Sequence, residues 1–208
     1  MSSRPAPGTR RSAKTEYITT DTGNKISRRS FIEGKQNIML GGKSVVMAGV
    51  HMRGDLHLIE KPPAEGEKPK APRTAISIGK ASVISTNCIL HPPMRLHHGE
   101  MTFYPMRIGD NVFIGAGTHV SAAVISSHVH IGENCVLGSF SMLKESCKVL
   151  PNTVVPPNMI VPPGCIVAGR PARIIGEVGD GWGQAIGGAE GEELVEGGDL
   201  RPLVRKIE

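Results

Sequence analysis

The chain has 208 residues, a formal net charge of +5 and only 3% aromatic residues, against 26 glycines and 16 prolines. Globular cores usually take much of their bulk from aromatic side chains, so this interior must use small and branched aliphatic residues. The basic residues are not interleaved with aromatics, which argues against nucleic-acid binding. A repeat architecture, in which each short turn adds a thin slice of core, fits such a composition.

The N-terminal residues carry positive charge and no folding signal. Residues 1–15 contain four basic residues and no acidic one, so we expect a disordered, solvated basic tail. Residues 1–30 lack the apolar segment of a secretory signal, and no apolar run of the sequence is long enough to span a bilayer. We therefore expect a cytoplasmic protein with reduced cysteines and no membrane insertion.

Aliphatic residues recur every six positions through the middle of the chain. The register is loose at Ile26, Ile32 and Ile38, and becomes regular from Ile78 onward with one shortened step. Its regular members are Ile78, Ile84, Leu90, Ile108, Ile114, Val120, Ile125, Ile131, Leu137, Leu143, Val149, Val155, Val161 and Val167. A period of six matches neither a helix nor an alternating strand and is typical of a hexapeptide solenoid. We predict an all-β parallel β-helix over residues 16–175.

Three hexads close one triangular coil of 18 residues, and successive coils stack about 4.8 Å apart. We expect each repeated aliphatic residue to point inward and the residue four positions later to pack at a corner, where only a small side chain fits. The four cysteines, Cys88, Cys135, Cys147 and Cys165, all occupy this second position. They are therefore predicted to be buried structural residues, and the absence of a CxxC spacing argues against a zinc site.

Two segments interrupt the repeat. Residues 60–73 are charged and proline-rich, which predicts a solvated insertion. Residues 91–107 form a loop with many apolar residues, which must either fold back onto the prism or meet a partner. Residues 176–208 form an acidic, glycine-rich tail that can contain only short helices, so how this end of the prism is capped stays open.

A homotrimeric enzyme, either a hexapeptide-repeat acyltransferase or one like the gamma-class carbonic anhydrases, is the alternative from another functional class. Hexapeptide-repeat acyltransferases work as homotrimers and need a catalytic histidine in a cleft, usually one shared between subunits. In this chain His97 and His98, in the apolar loop, are the candidates, and Glu100 is the carboxylate nearest to them in sequence. A lone histidine in a loop is more often solvated or structural than catalytic.

Part of the repeat resembles the gamma-class carbonic anhydrases. The stretch IGKASVISTNCILH, residues 78–91, ends on His91, where that family has a zinc ligand, and Arg53 and Asp55 resemble its Arg/Asp pair. The two other zinc ligands would fall on Ala116 and Ser121. Because neither side chain can replace a zinc-binding histidine, the resemblance implies a vestigial site without metal, cofactor or catalytic residue.

Three longer stretches resemble the dynactin subunit 5 family. They are EYITTDTGNKISRRSFIEGKQNIMLGGKSVVM at residues 16–47, FYPMRIGDNVFI at residues 103–114, and VVPPNMIVPPGCIVAGRPA at residues 154–172. The resemblance implies a left-handed β-helix without catalytic activity of its own. It also implies dynactin subunit 6, the pointed-end actin-related protein, the zinc-containing dynactin subunit and cargo adaptors as partners. The insertion at 60–73 and the glycine-rich tail depart from the pattern expected of this family.

The function expected from this resemblance is that of a scaffold subunit at the pointed end of dynactin. Such a subunit supports the engagement of adaptors and early endosomes for dynein-driven transport along microtubules of the cytoskeleton. We expect at least one end of the prism to be a protein interface, because its backbone groups need a partner. Six residues are further predicted to lie in an interface, namely Arg53, Asp55, Arg95, His97, Phe103 and Tyr104.

Overall fold

The structure, a computed structural model, describes residues 16–57, 74–97, 99–179, 182 and 200–207. The predicted basic tail at 1–15, the insertion at 60–73, His98 and most of the glycine-rich tail lie outside the described residues. The structure also leaves the side chain of His97 undescribed.

Short strands follow one another along the chain, as a hexapeptide repeat requires. Those before Ile108 are β1 (Tyr17–Thr19), β2 (Lys25–Ser27), β3 (Phe31–Glu33), β4 (Ile38–Leu40), β5 (Val45–Val46), β6 (His51–Arg53), β7 (Ile76–Ile78), β8 (Val83–Ile84), β9 (Ile89–Leu90), β10 (Met94–His97), β11 (Glu100–Phe103) and β12 (Met106–Ile108). The later strands are β13 (Phe113–Ile114), β14 (His119–Val120), β15 (Val124–Ile125), β16 (His130–Ile131), β17 (Val136–Leu137), β18 (Met142–Leu143), β19 (Lys148–Val149), β20 (Val154–Val155), β21 (Ile160–Val161), β22 (Cys165–Gly169) and β23 (Ala172–Glu177). A 3₁₀ turn at Lys35–Asn37 precedes β4, and the helix α1 spans Arg201–Lys206.

The strands form the three faces of a prism. Sheet 1 has the order β1-β2-β5-β8-β13-β16-β19-β22-β23, sheet 2 has the order β3-β6-β9-β14-β17-β20, and sheet 3 has the order β4-β7-β12-β15-β18-β21. Consecutive strands pass from sheet 1 to sheet 2 to sheet 3, and the coils stack in parallel. The fold is therefore the left-handed parallel β-helix expected from the sequence.

The repeat builds the interior as predicted. Each repeated aliphatic residue from Ile78 to Val167 is at most 4% exposed. Because side chains alternate across a strand, the residue before each of them points outward. At the corners Asn87, Asn111 and Asn134 adopt φ values between 52° and 56°, a left-handed conformation that asparagine tolerates better than most residues. The repeated aliphatic residues therefore form the core, and residues that tolerate a left-handed backbone conformation form the corners.

The cysteines are buried and free, which confirms the structural reading of their positions. The Sγ atom of Cys88 donates to the carbonyl oxygen of Gly115 on the next coil at 3.1 Å, and that of Cys147 donates to the carbonyl oxygen of Pro162 at 3.0 Å. Burial raises the pKa of the Cys88 thiol to about 11. A thiol in such surroundings is a poor nucleophile, since only the thiolate reacts readily.

The outermost strand of sheet 1 at each end of the prism is antiparallel to its neighbour. β1 pairs with β2 at the N-terminal end, and β23 pairs with β22 at the C-terminal end. The predicted boundary at residue 175 falls inside β23, which ends at Glu177. The described part of the tail does not cap this end, because Leu200 and Val204 pack beside Val45 and Val83 on the side of the prism. No helix among the described residues is long and apolar enough to cross a membrane.

Candidate partner-binding edge

Both interruptions of the repeat leave the prism at the edge between sheets 2 and 3. The first lies between β6 and β7, and the second, which contains β10 and β11, lies between β9 and β12. Each connects a strand of sheet 2 to a strand of sheet 3, in neighbouring coils. We call this line of connections the interrupted edge. It brings the six predicted interface residues onto one side of the molecule, with Arg53 and Asp55 in one coil and the other four in the next.

An ionic cluster occupies the N-terminal part of the interrupted edge. Arg53 bonds Asp55 through two nitrogens, with Nε–Oδ1 at 2.9 Å and Nη2–Oδ2 at 2.8 Å, and its Nε lies 3.0 Å from Oε2 of Glu33. The hydrogen bonds between them raise the pKa of Arg53 and lower the pKa of Asp55. Such a two-point pair fixes the direction of both side chains. The cluster is solvent-accessible, so it contributes little to stability.

The strands β10 and β11 form an antiparallel hairpin with two chemically different faces. The register pairs Met94 with Phe103 and Leu96 with Met101, so these four residues share the apolar face. Arg95, paired with Thr102, belongs to the polar face. Met94, Leu96 and Met101 are 41%, 66% and 56% exposed, whereas the Cζ atom of Arg95 lies 4.9 Å from the ring centre of Phe140 on the prism. Arg95 thus contacts the prism at Phe140 while it remains exposed, and three of the four residues on the apolar face are exposed to solvent.

Aromatic contacts anchor the base of the hairpin. The ring of Phe103 lies 5.9 Å from that of His91, and the ring of Tyr104 meets the ring of Phe140 edge to face at 5.2 Å. Of the two outcomes expected for this apolar loop, folding back onto the prism therefore applies to Phe103 and Tyr104. Met94, Leu96 and Met101 stay exposed, and the sequence did not nominate them as interface residues, because only the strand register shows which side chains share a face.

Sequence reasoning also missed Phe140, the residue on which the hairpin rests. Phe140 sits at the interrupted edge between β17 and β18, with a φ of 61°. A bulky aromatic residue rarely adopts this left-handed conformation, which costs backbone energy. The signal was present in the sequence as a phenylalanine at a corner where the next coil carries Asn158. The coil between the hairpin and Phe140 carries only small residues at this edge, namely Ser121, Ala122 and Ala123. The hairpin can therefore reach Phe140.

The vestigial zinc positions do not converge into a metal site. Ser121 lies next to His91 in the ladder between β9 and β14, while Ala116 lies at the opposite edge of sheet 2. Nδ1 of His91 donates to the carbonyl oxygen of Pro92 at 2.9 Å. Burial, and then the nearby charge of His91, lower the pKa of His119 on the same face. Within the described ranges, no three or more His, Cys, Asp or Glu side chains are grouped to hold a metal ion.

His97, one of the two acyltransferase candidates, lies at the far end of the hairpin. The register places His97 opposite Glu100, next to the turn between the two strands. His98 lies outside the described residues. The Arg53–Asp55 pair is thus the part of the predicted interface whose side chains carry charge in a fixed geometry, and the hairpin is the part that offers apolar surface.

Comparison with known proteins gives a family and a fold. The family model described as Dynactin subunit 5 matches residues 70–186, more than half of the chain. Dynactin subunit 5 of Dictyostelium discoideum is 37% identical over 114 residues, which are 55% of this chain and 49% of that protein. Galactoside O-acetyltransferase of Escherichia coli strain K12 is 35% identical over 114 residues, which are 50% of this chain and 45% of that protein. The chain spans about half the length of the curated relatives it matches.

Solved structures share the solenoid. AntD, an N-acyltransferase from Bacillus cereus in complex with dTDP and 3-hydroxybutyryl-CoA, superposes with a TM-score of 0.54 at 16% identity, covering 75% of this chain and 80% of that one. A hexapeptide transferase family protein from Anaplasma phagocytophilum gives a TM-score of 0.50 at 18% identity, covering 76% of this chain and 80% of that one. At such low identity these similarities establish the fold alone.

Proposed function

The chain belongs to the dynactin subunit 5 family, and we propose that it acts as a non-catalytic scaffold subunit of the dynactin pointed-end complex. In this role it contacts dynactin subunit 6, the pointed-end actin-related protein and the zinc-containing subunit. It supports the engagement of cargo adaptors and early endosomes for dynein-driven transport. The described interrupted edge is the proposed contact surface.

The observation that carries the proposal is the orientation of the hairpin. An isolated hairpin on a soluble monomer gains stability by laying its apolar face on the core. Here the contact with Phe140 of the prism comes from Arg95 of the polar face, and Met94, Leu96 and Met101 of the apolar face are exposed. Contiguous exposed apolar side chains with polar groups around them are typical of protein interfaces. The neighbouring Arg53–Asp55 pair adds charge that a partner can read in a defined direction.

A cleft beside the hairpin extends the proposed contact surface onto sheet 3. It has a volume of about 620 Å³ and is lined by Met39, His57, Thr74, Ala75, Ser77, Pro105, Met106 and Arg107. The lining combines apolar side chains with hydroxyl groups and one guanidinium, a mixture suited to a side chain of a partner protein. The cleft lies between the stems of the two interruptions, so a partner on the hairpin can reach it.

The C-terminal end of the prism is a second proposed contact. On its far side β23 pairs with no other strand of the described residues. Its neighbourhood exposes three β-branched residues, Ile160, Ile174 and Ile175. An edge strand with exposed aliphatic residues favours association with another chain. This agrees with the expectation that at least one end of the solenoid docks against a partner.

Acyl transfer is the second candidate function, and one observation favours it. Because Nδ1 of His91 donates to the Pro92 carbonyl, Nε2 is the basic nitrogen of that ring, as a general base requires. One curated relative carries the name galactoside O-acetyltransferase. Against acyl transfer, the Phe103 ring lies 5.9 Å from His91 and occupies space beside the imidazole.

The deciding experiment for the scaffold function is affinity capture of the tagged chain from its native cytosol, followed by quantitative mass spectrometry. We expect dynactin subunits in roughly equal amounts with the bait. The double substitution Leu96→Ser and Met101→Ser should lower this recovery by about tenfold or more, the effect of removing a typical interface hot spot. Its melting temperature should stay unchanged, since both side chains point to solvent. Val136→Ser, an exposed apolar residue of sheet 2, is the matched control.

One result contradicts the scaffold proposal, and another contradicts only the role proposed for the hairpin. Recovery of the bait alone, as a homotrimer, favours the enzyme, and normal recovery with the double variant removes the hairpin from the interface. Acyl transfer is tested separately with acetyl-CoA and galactoside acceptors, by measuring the release of free CoA. We expect no release above the uncatalysed rate. Release of free CoA by the wild-type chain that is lost in the His91→Ala variant establishes catalysis.

A further inference from the structure

The outer side of sheet 1 contains two aliphatic residues that the fold should leave in solvent. Val45 and Val83 precede the inward-pointing Val46 and Ile84 in their strands, so their side chains point away from the prism. On the uncovered outer side of sheet 2, the equivalent Ile89 is 43% exposed. Val45 and Val83 are nevertheless fully buried. Another part of the chain therefore covers this side of sheet 1.

The cover is the C-terminal helix α1 together with the residues that flank it. Leu200 and Val204 are buried against the two valines, and Leu203 and Ile207 are partly buried there. These four residues follow the spacing i, i+3, i+4, i+7, which places them on one side of a helix. Arg201, Arg205 and Lys206 on the other side are exposed. The segment is a short amphipathic helix lying on a flat apolar strip.

The helix depends on the strip for its structure. It has six residues, and no side chain caps its N-terminus. Isolated helices this short are unstable in water, because too few hydrogen bonds follow the costly first turn. At the other end, Nζ of Lys25 donates to the carbonyl oxygen of Ile207 and lies 3.5 Å from that of Arg205. The strip thus supplies both the apolar contact and a donor for the unpaired carbonyls at the C-terminus of a helix.

The strip extends beyond the part that the described residues of the C-terminal segment cover fully. Phe113 continues the line of Val45 and Val83 on the next strand and is only half-buried under α1. Its ring stacks on that of His130 in the following coil, with centroids 4.8 Å apart and planes inclined by 11°. A helix longer than α1 can therefore gain contacts with Phe113 and His130 that the helix of this chain does not make in full.

We propose that Val45, Val83 and Phe113, with Lys25 at one end, form a docking site for an amphipathic partner helix. The partner carries aliphatic residues at i, i+3, i+4 and i+7, and residues 200–207 occupy the site as a ligand in the same molecule. The helix α1 is the observed example of what the strip binds, and it defines the partner by its pattern. A partner helix of this kind displaces α1 by adding contacts at Phe113. This site lies on a different face from the interrupted edge and does not rest on the proposed scaffold function.

The test uses the full chain and a fluorescent peptide with the sequence of residues 199–208, DLRPLVRKIE. The substitutions Leu200→Asp and Val204→Asp remove α1 from the strip and leave the strip intact. In fluorescence anisotropy, the peptide should bind this variant at least about tenfold more tightly than the wild-type chain, whose site is already occupied. Adding Val83→Asp to the variant should abolish the binding, as should the two Asp substitutions made in the peptide.

Equal binding to the wild type and to the variant overturns the proposal, as does the absence of binding to a folded variant. Circular dichroism in the strand region reports whether the variant is folded. If the double substitution unfolds the prism, Leu203→Gly replaces it, because it weakens the helix without placing a charge against the valines. The same two outcomes then decide the proposal.

Discussion

The regular coils and the interrupted edge obey the same repeat and expose different surfaces. From Ile108 to Val161 each hexad places one aliphatic residue inside the prism, and its outward neighbour is free to vary. At the interrupted edge the hairpin leaves the repeat, and its apolar residues need not face the core. The comparison teaches that in a solenoid the repeat stabilises the fold, whereas a break in the repeat can expose apolar side chains that the core does not bury.

The sharpest test of this division compares two neighbouring residues of β17. Leu137 is 1% exposed in the core, whereas Val136 is 39% exposed on sheet 2. Leu137→Ala should lower the free energy of unfolding by about 2–5 kcal/mol, the range for cavity-forming substitutions. Val136→Ala should change it by less than about 1 kcal/mol. Urea unfolding followed by circular dichroism gives both values. Similar losses in the two variants mean that the outer face of the solenoid is also packed.

A second test separates the two ends of the hairpin. Tyr104→Ser removes the edge-to-face contact with Phe140 and should cost about 1–2 kcal/mol of unfolding free energy. Leu96→Ser, on the exposed apolar face, should cost less than about 0.5 kcal/mol. The control is Tyr104→Ser made in the Phe140→Ala variant. There it should lower the unfolding free energy much less, because the ring contact is already absent. A large loss for Leu96→Ser contradicts the outward orientation of the hairpin.

The smallest expected effect concerns His119. Burial and the charge of His91 lower the pKa of this side chain. The unfolded chain then binds a proton more readily than the folded one, so stability falls as the pH drops from about 6.5 through the lowered pKa. The melting temperature should therefore decrease between about pH 7.5 and pH 5.5, and His119→Gln should reduce that decrease. An unchanged slope in the variant shows that His119 titrates alike in both states.

Much of the fold could be predicted because the hexad signal is local and repeated. Every inward aliphatic residue from Ile78 to Val167 was placed by spacing alone, and the same spacing buried Cys88 and Cys147. The Phe103 segment was recognised as apolar, yet the sequence could not choose between core and interface. In the structure Phe103 packs against His91 at the base of the hairpin, whereas Leu96 is exposed on its apolar face.

The sequence nominated only some of the residues of the candidate site and did not predict their arrangement. Arg53 and Asp55 are two positions apart, so their pairing follows from local geometry. Their position along the same edge as the hairpin depends on which sheets the two interruptions connect. Phe140 joined the site through a contact with Tyr104, 36 positions earlier in the chain, which no periodicity encodes.

The sequence by itself determined the family, the solenoid and the identity of the inward residues. A six-residue period places the repeated aliphatic position of every hexad towards the interior on each of the three faces. Only the tertiary structure decided which way the hairpin faces and where the C-terminal helix lies. The contact of Leu200 and Val204 with Val45 and Val83 joins segments that are far apart in the chain. Its strength comes from apolar area that becomes available only after the coils have stacked.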